Sequence, residues 1–331
     1  MTNLETPKEN TWPIPLVGNT LFVDNSTQER FQTCLRSAGY YVAHKRELNR
    51  PKPAQAFGKI IHKALELRYT TQSQVIDPGI LQNMVSTVTK GFDDYTPPDD
   101  DFRTYDLAVA TVKQYATQYN LEDFKVCSLP NGKPFVEFPF AIPLGEIAIN
   151  RDMYVREPDG SISFRSVSNI VIVQKGKIDL VYEREGNIYG LDHKTTSIMG
   201  PQYFAEFELA SQVHCYSWAI QNILGKLPSS YVINGLGIRK PTKSGKSLEF
   251  IRQSIPIFPA LVDEWKTDAL TLTSMFIDAA TNNQLPKMTK WCVAKYGTCE
   301  YKAVCGLDPK LRYMSLYSNE FKNVTWDPLT E

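Results

Sequence analysis

The run Gly176-Lys-Ile-Asp-Leu-Val-Tyr-Glu-Arg-Glu-Gly-Asn-Ile-Tyr-Gly-Leu-Asp-His-Lys194 constrains the fold more than any other stretch of the chain. Two segments rich in Ile, Leu, Val and Tyr flank the polar turn Arg184-Glu185-Gly186-Asn187, the pattern of a β-hairpin. With Glu185-Gly186 as a two-residue loop, Arg184 pairs with Asn187 and Asp179 falls opposite Asp192. Directly opposed residues hold their Cβ atoms about 5 Å apart. Two carboxylates that close repel each other unless a cation lies between them. Lys194 follows Asp192 by two positions and so projects from the same face. Taken alone, an Asp-x-Lys is most often a solvated surface cluster. Here Ile178, Leu180 and Leu191 bracket the acids, which implies strands packed on both faces, where an unpaired acid is costly. Two hard oxygen ligands beside an ammonium suit a Mg²⁺ or Mn²⁺ site for phosphodiester cleavage.

The 331 residues can bury a sizeable core in one large domain or two modest ones. Formal charge balances at zero, so a nucleic-acid surface must come from local asymmetry. Residues 36–68 offer one, with Arg36, Lys45, Arg46, Arg50, Lys52, Lys59, Lys63 and Arg68 against Glu47 and Glu66. The acidic stretch 93–106 around Pro97-Pro98 reads as a solvated loop and carries no chemistry. A polar N-terminus without an apolar segment implies no signal peptide, and no run approaches a membrane span, so a cytoplasmic protein is expected. Thiols stay reduced there, and six cysteines point to metal binding or burial more than to disulfides.

Helices are expected over 27–48, 53–70, 78–95 and 101–124, the middle ones forming a helical insertion or subdomain. Period-two patterning begins near 134 and continues through the hairpin. A helix over 202–224, strands over 230–239 and 248–257, and a helix over 259–283 follow. The turn Lys240–Ser247 ends like a phosphate-binding loop, but it lacks the required upstream glycine and joins two strands, so it reads as a solvated turn or a contact to a DNA backbone.

Cys292, Cys299 and Cys305 fall within 14 residues, a spacing that matches neither a zinc ribbon nor a common ferredoxin. Cys34 is the best candidate for a fourth ligand. Cys127 and Cys215 read as ordinary thiols. From spacing alone, an iron–sulfur cluster and a structural Zn²⁺ serve equally.

Together these features resemble the RecB/AddB-type branch of the PD-(D/E)XK nuclease superfamily, in particular its iron–sulfur members, which include CRISPR-adaptation exonucleases. Five elements occur in family order: Cys34 in Phe-Gln-Thr-Cys-Leu-Arg; Gly58-Lys-Ile-Ile-His62; Gly176-Lys-Ile-Asp179 with Asp192-His-Lys194; Gln212-Val-His-Cys-Tyr216; and the triplet Cys292, Cys299, Cys305. The gap between Cys292 and Cys299 is longer than in the family's tightest versions. The resemblance implies an α/β, restriction-endonuclease-like mixed sheet flanked by helices, with a helical insertion and a C-terminal iron–sulfur region. It divides the chain into an N-terminal segment (1–52), a helical region (53–133), a nuclease core (134–285) and a cysteine-cluster region (286–331).

The resemblance also implies roles. Asp179, Asp192, His62 and the backbone carbonyl of His193 would hold Mg²⁺ or Mn²⁺. Lys194 would orient water or stabilise phosphate charge. Gln212 and Tyr216 would position DNA or Lys194, unless they are core polar groups. Glu137 is a candidate supporting acid. Cys34, Cys292, Cys299 and Cys305 would hold a [4Fe–4S] cluster. The expected activity is a metal-dependent DNA exonuclease in recombination, repair, replication or CRISPR adaptation, in a prokaryote or a phage-infected cell. Its expected partners are DNA, single-stranded or with free ends, and a helicase or recombination protein, with no membrane. The rivals are a structure-specific endonuclease and a non-catalytic DNA-binding scaffold of the same fold, which decayed catalytic residues would favour.

Overall fold

A computed structural model describes residues 11–50, 52–241, 247–294, 297–325 and 327–330. Residues 242–246 of the basic turn lie outside this set. The longer elements are α1 (Pro53–Thr70), α2 (Pro78–Asp93), α3 (Tyr105–Gln118), β1 (Val136–Arg156), β2 (Ile162–Arg184), β3 (Asn187–Thr196), α4 (Ser211–Leu224), β4 (Ser230–Ile238), β5 (Leu248–Pro256) and α5 (Pro259–Thr281). The described residues form two compact units, one from 11–50, 140–176 and 263–330, the other from 52–139 and 177–262.

The second unit is built on a mixed sheet flanked by helices. β2 and β3 pair antiparallel, β3 and β4 parallel, β4 and β5 antiparallel. Arg184 pairs with Asn187 and Leu180 with Leu191, the register expected from the two-residue loop. Glu185 and Gly186 have φ of 52° and 76°, the double positive φ that a type I′ turn requires. Pro53 starts α1 in the first turn, where a missing N–H costs nothing. Asp77 caps α2 by accepting the Ile80 N–H at 2.8 Å. Phe57, Ile61 and Leu65 of α1, Met84 and Val88 of α2, and Val112 and Tyr115 of α3 pack on Leu180, Leu191, Leu236 and Phe250 of the sheet. Apolar residues alternate with the acids on β2 and β3, so this packing buries one face while Asp179 and Asp192 belong to the other.

In the first unit, Ile14–Pro15 runs parallel to β1 and Thr20–Val23 parallel to β2. A second core gathers Tyr40, Tyr301, Val304, Leu316 and Phe321. The helix expected over 27–48 is broken. Asn25–Thr33 is helical, capped by Asp24, and Cys34 is extended at φ −164° and ψ 109°. A short helix (Leu35–Ala38), a π-helical turn (Gly39–Ala43) and a strand (Arg46–Leu48) follow. Distant contacts override the helical pattern. Arg36 donates twice to the Leu285 carbonyl, at 2.8 and 2.7 Å. Arg46 donates to the Leu316 and Phe321 carbonyls while its strand pairs with Phe321–Asn323.

Other boundaries also shift. The helix expected over 101–124 is α3 alone, followed by the short strand Lys125–Val126 on β2. The helix expected over 202–224 is two helices, Pro201–Ala205 and α4, because the intervening residues close turns and Leu209 is 81% exposed rather than packed.

Candidate metal centre

Ile61 and Leu65 of α1 are fully buried. His62, between them in sequence, points off the core instead. Its Nδ1 lies 3.4 Å from Asp179 Oδ2 and 3.7 Å from Glu137 Oε1. Glu137 sits near the start of β1 with φ of 46°, a conformation that non-glycine residues adopt only when their surroundings hold them there. Its second oxygen pairs with Lys177 Nζ at 2.8 Å. Among the described residues, His62, Glu137 and Asp179 form the group whose ligand atoms all lie within 4.8 Å of one another.

Asp192, across the hairpin from Asp179, is held differently. Its Oδ2 pairs with Lys194 Nζ at 2.7 Å, and its Oδ1 accepts from Gln212 Nε2 at 3.0 Å. Lys194 Nζ also donates to Gln212 Oε1 at 2.9 Å. The Gln212 amide therefore bridges the ammonium and the carboxylate, each end facing its complement. Tyr216 lies one turn further along α4, buried, with its ring 6.3 Å from that of Tyr231. Thus Gln212 reaches Lys194 and Asp192 directly, and Tyr216 in turn shares a side-chain hydrogen bond with Gln212.

Proton affinities follow from this crowding. Burial raises the Asp179 carboxyl to about 8, and the nearby Asp192 carboxylate adds to the effect. For His62, burial works downward but is outweighed by Asp179 and Glu137, which lift the imidazole to about 9. Glu137 is lowered: burial opposes ionisation, but the bonds from His62 and Lys177 win. Protons are thus retained on Asp179 and His62 where a cation would satisfy the same acids. Hard carboxylate oxygens with one imidazole nitrogen are a donor set that fits Mg²⁺ or Mn²⁺.

His193 faces the opposite way from its neighbours in β3. Its ring is buried, and Nδ1 lies 2.7 Å from Asn234 Nδ2. Burial, followed by the His62 charge, holds it neutral, well below its usual range. Behind it is a network that sequence reasoning did not find. Asn234 donates to the Tyr115 hydroxyl at 3.0 Å, Tyr115 and Tyr69 share a 2.7 Å bond, and Arg252 pairs with Glu122 at 2.7 Å while donating to both tyrosines. Lys177 was also missed. Its adjacency to Gly176 in the first hairpin strand was the only local signal.

Cys34, Cys292, Cys299 and Cys305 belong to the first unit, Cys127 and Cys215 to the second. All six in the chain are free thiols. Cys34 Sγ accepts from the Met288 N–H at 3.5 Å, and the Cys299 N–H donates to the Cys292 carbonyl at 3.1 Å. Burial first, then the neighbouring Cys34 and Cys292 thiols, raise Cys299. Cys305 is raised by burial, with Cys34 and Cys299 contributing. Cys34 thus shares a neighbourhood with the distant triplet.

The model of the PD-(D/E)XK nuclease superfamily matches residues 25–306. No curated protein matches the chain. Among solved structures, a protein described as a "Putative exonuclease" from Eubacterium rectale shares 11% identity, with a TM-score of 0.40 over 80% of this chain and 83% of its own. SSO0001 shares 10% identity, with a TM-score of 0.23 over 75% of this chain and 85% of its own. Among the described residues, no helix is long and apolar enough to cross a membrane.

Proposed function

The chain belongs to the PD-(D/E)XK nuclease superfamily, and on that premise we propose that it is a Mg²⁺- or Mn²⁺-dependent deoxyribonuclease that works from strand ends and carries a [4Fe–4S] cluster. The observation that carries the metal-dependent reading is the convergence of His62, Glu137 and Asp179 beside an Asp192–Lys194 pair. His62, Glu137 and Asp179 would hold the ion, with Asp192 and the His193 carbonyl alongside. When bound there, the ion would supply Lewis acidity toward the phosphoryl oxygens. Lys194 contributes a preorganised ammonium that stabilises charge developing on the scissile phosphate or orients the attacking water. Gln212 and Asp192 keep that ammonium in place, so little reorganisation is needed when substrate arrives. The His193 N–H fixes one Asp179 oxygen, and Asn234 anchors the His193 ring behind it.

Support for the cluster is the shared neighbourhood of Cys34 with Cys299 and Cys305 and the absence of disulfides among the six thiols. Such a bridge would close a loop of about 270 residues and so restrict the unfolded chain. The end-directed action, and a role in recombination, repair, replication or CRISPR adaptation with a helicase or recombination partner, rest on the resemblance to the RecB/AddB-type branch.

The test is purified protein with Mg²⁺ or Mn²⁺ and end-labelled single-stranded, duplex and circular DNA. Loss of label from linear DNA with circles left intact is the expected result. Nicked or linearised circles would show an endonuclease. No cleavage of any substrate with either ion would reject catalysis and favour the DNA-binding scaffold.

A further inference from the structure

The first unit contains a cavity of about 570 Å³, built wholly from its own residues. That size lies within the range of about 300–1,000 Å³ typical of small-molecule sites. Lys45, Arg156 and Lys175 are three cationic residues of its lining, and Val17 and Phe22 add exposed apolar surface. Arg156 is fixed by donating to the Ala43 carbonyl at 2.9 Å and the Gly160 carbonyl at 3.3 Å. Lys45 has φ of 55°, and its carbonyl accepts the Val324 N–H at 2.9 Å. A non-glycine residue held in the left-handed region is costly, and such residues cluster at ligand sites. The Asp24 and Asp327 carboxylates both act on the Lys45 ammonium.

Charge in the cavity is unbalanced. Glu157 lines it, but its carboxylate already accepts from Ser163 at 2.6 Å and Arg165 at 3.2 Å. The remaining acid is Asp327, near the end of the chain, which pairs with Lys175 at 2.9 Å and has a side chain 38% exposed. Lys45 is held below its usual range, first by desolvation of its head although the residue as a whole is exposed, then by Lys175. Three cations therefore gather here against two lining acids, of which Glu157 is already held by Ser163 and Arg165 and Asp327 is partly exposed, while Asp24 also acts on Lys45.

We propose that this cavity binds a nucleotide-sized organic phosphate, its phosphate held by Lys45, Arg156 and Lys175 in the place Asp327 takes in its absence, and its base or sugar against Val17 and Phe22. Multiple charged donors on one phosphate give the short, strong bonds that such recognition uses. The choice of a nucleotide over other organic phosphates rests on the nuclease family. The ligand is either a free nucleotide or the terminal nucleotide of a DNA strand.

The test is calorimetric titration of the full chain in EDTA with dTMP, thymidine and inorganic phosphate, together with oligonucleotides bearing a 5′-phosphate, a 3′-phosphate or neither. EDTA removes divalent ions, so the result is independent of whether the chain cleaves DNA. dTMP should bind at least tenfold more tightly than thymidine. Lys175→Gln and Lys45→Gln should each weaken dTMP binding about tenfold, and Asp327→Asn should strengthen it several-fold. Because Lys45 is exposed and Asp327→Asn acts in the opposite sense, misfolding cannot mimic the full pattern. A preference for either phosphorylated oligonucleotide assigns the site to a strand end, and dTMP binding without such a preference assigns it to a free nucleotide. Equal affinity for dTMP and thymidine, or dTMP affinity unmoved by all three substitutions, would overturn the proposal.

Discussion

The backbone N–H of His193 donates to Oδ2 of Asp179 at 2.8 Å, so one strand of the hairpin aims the acid of the other. Backbone pairing of β2 with β3 runs back from the turn to Leu180 and Leu191, and the side chain of Asp179 takes over at the next position. The same oxygen lies 3.4 Å from His62 Nδ1. Hairpin register therefore decides the position of the site, because a slip of one residue would carry every acid to the opposite face.

Metal-free protein should lose stability as pH rises from about 6.5 to 9 through these groups. Asp179 titrates near 4 unfolded and about 8 folded, so its stabilising contribution is full below the lower value and lost toward the upper. His62 moves in the same sense, from about 6.5 unfolded to about 9 folded. Both bind more protons when folded, so the slope is negative. Melting temperatures in EDTA should fall over this range, with a flatter profile for Asp179→Asn. Mn²⁺ should raise the melting temperature more at the alkaline end, because the ion competes with those protons. A melting temperature that climbs with pH in EDTA would contradict the assignment.

Gln212→Glu should impair cleavage more than Gln212→Ala. The native amide donates to Asp192 at 3.0 Å, and a carboxylate there would set two acceptors against each other. Single-turnover rates of the two variants at saturating Mn²⁺ decide this. Equal rates would mean that the bridge plays no part.

Lys194→Ala should cost about 3 kcal/mol in the cleavage step, roughly two orders of magnitude in rate, with metal affinity nearly unchanged, because an ammonium is no metal ligand. Lys194→Arg should rescue poorly, since a guanidinium places its donors differently. Cleavage and DNA affinity should be measured on the same variant at fixed salt. Lost affinity with an unchanged cleavage step would show that Lys194 only holds DNA.

Anaerobically purified protein should be brown, with about four irons per chain. Cys34→Ser should bleach it as fully as Cys299→Ser, since both thiols are proposed to serve one cluster. Stoichiometric zinc without iron would replace the cluster with a structural Zn²⁺ and leave the nuclease site untouched.

Local patterns carried much of this molecule. The hairpin register was legible because a two-residue Glu-Gly loop leaves one pairing, and α1 was legible because its apolar period is regular. The break at Cys34 was not, since it depends on Arg36 and Arg46 reaching carbonyls some 250–275 residues away in sequence. Glu137 could be weighed as an acid preceding the hairpin, but its left-handed backbone and its pairing with Lys177 needed the folded strands. Arg252 and Glu122 lie 130 residues apart, and nothing local marks either as a buried partner of the tyrosines behind His193.

The central claim is that the hairpin acids assemble a metal-dependent hydrolytic centre. Its most direct test is cleavage of end-labelled DNA by Asp179→Ala and Asp192→Ala at saturating Mn²⁺, with circular dichroism to verify folding. Each substitution should abolish cleavage while the fold persists, since each removes an acid of the centre and relieves the repulsion between the pair. A wild-type rate in either variant would contradict the assigned site.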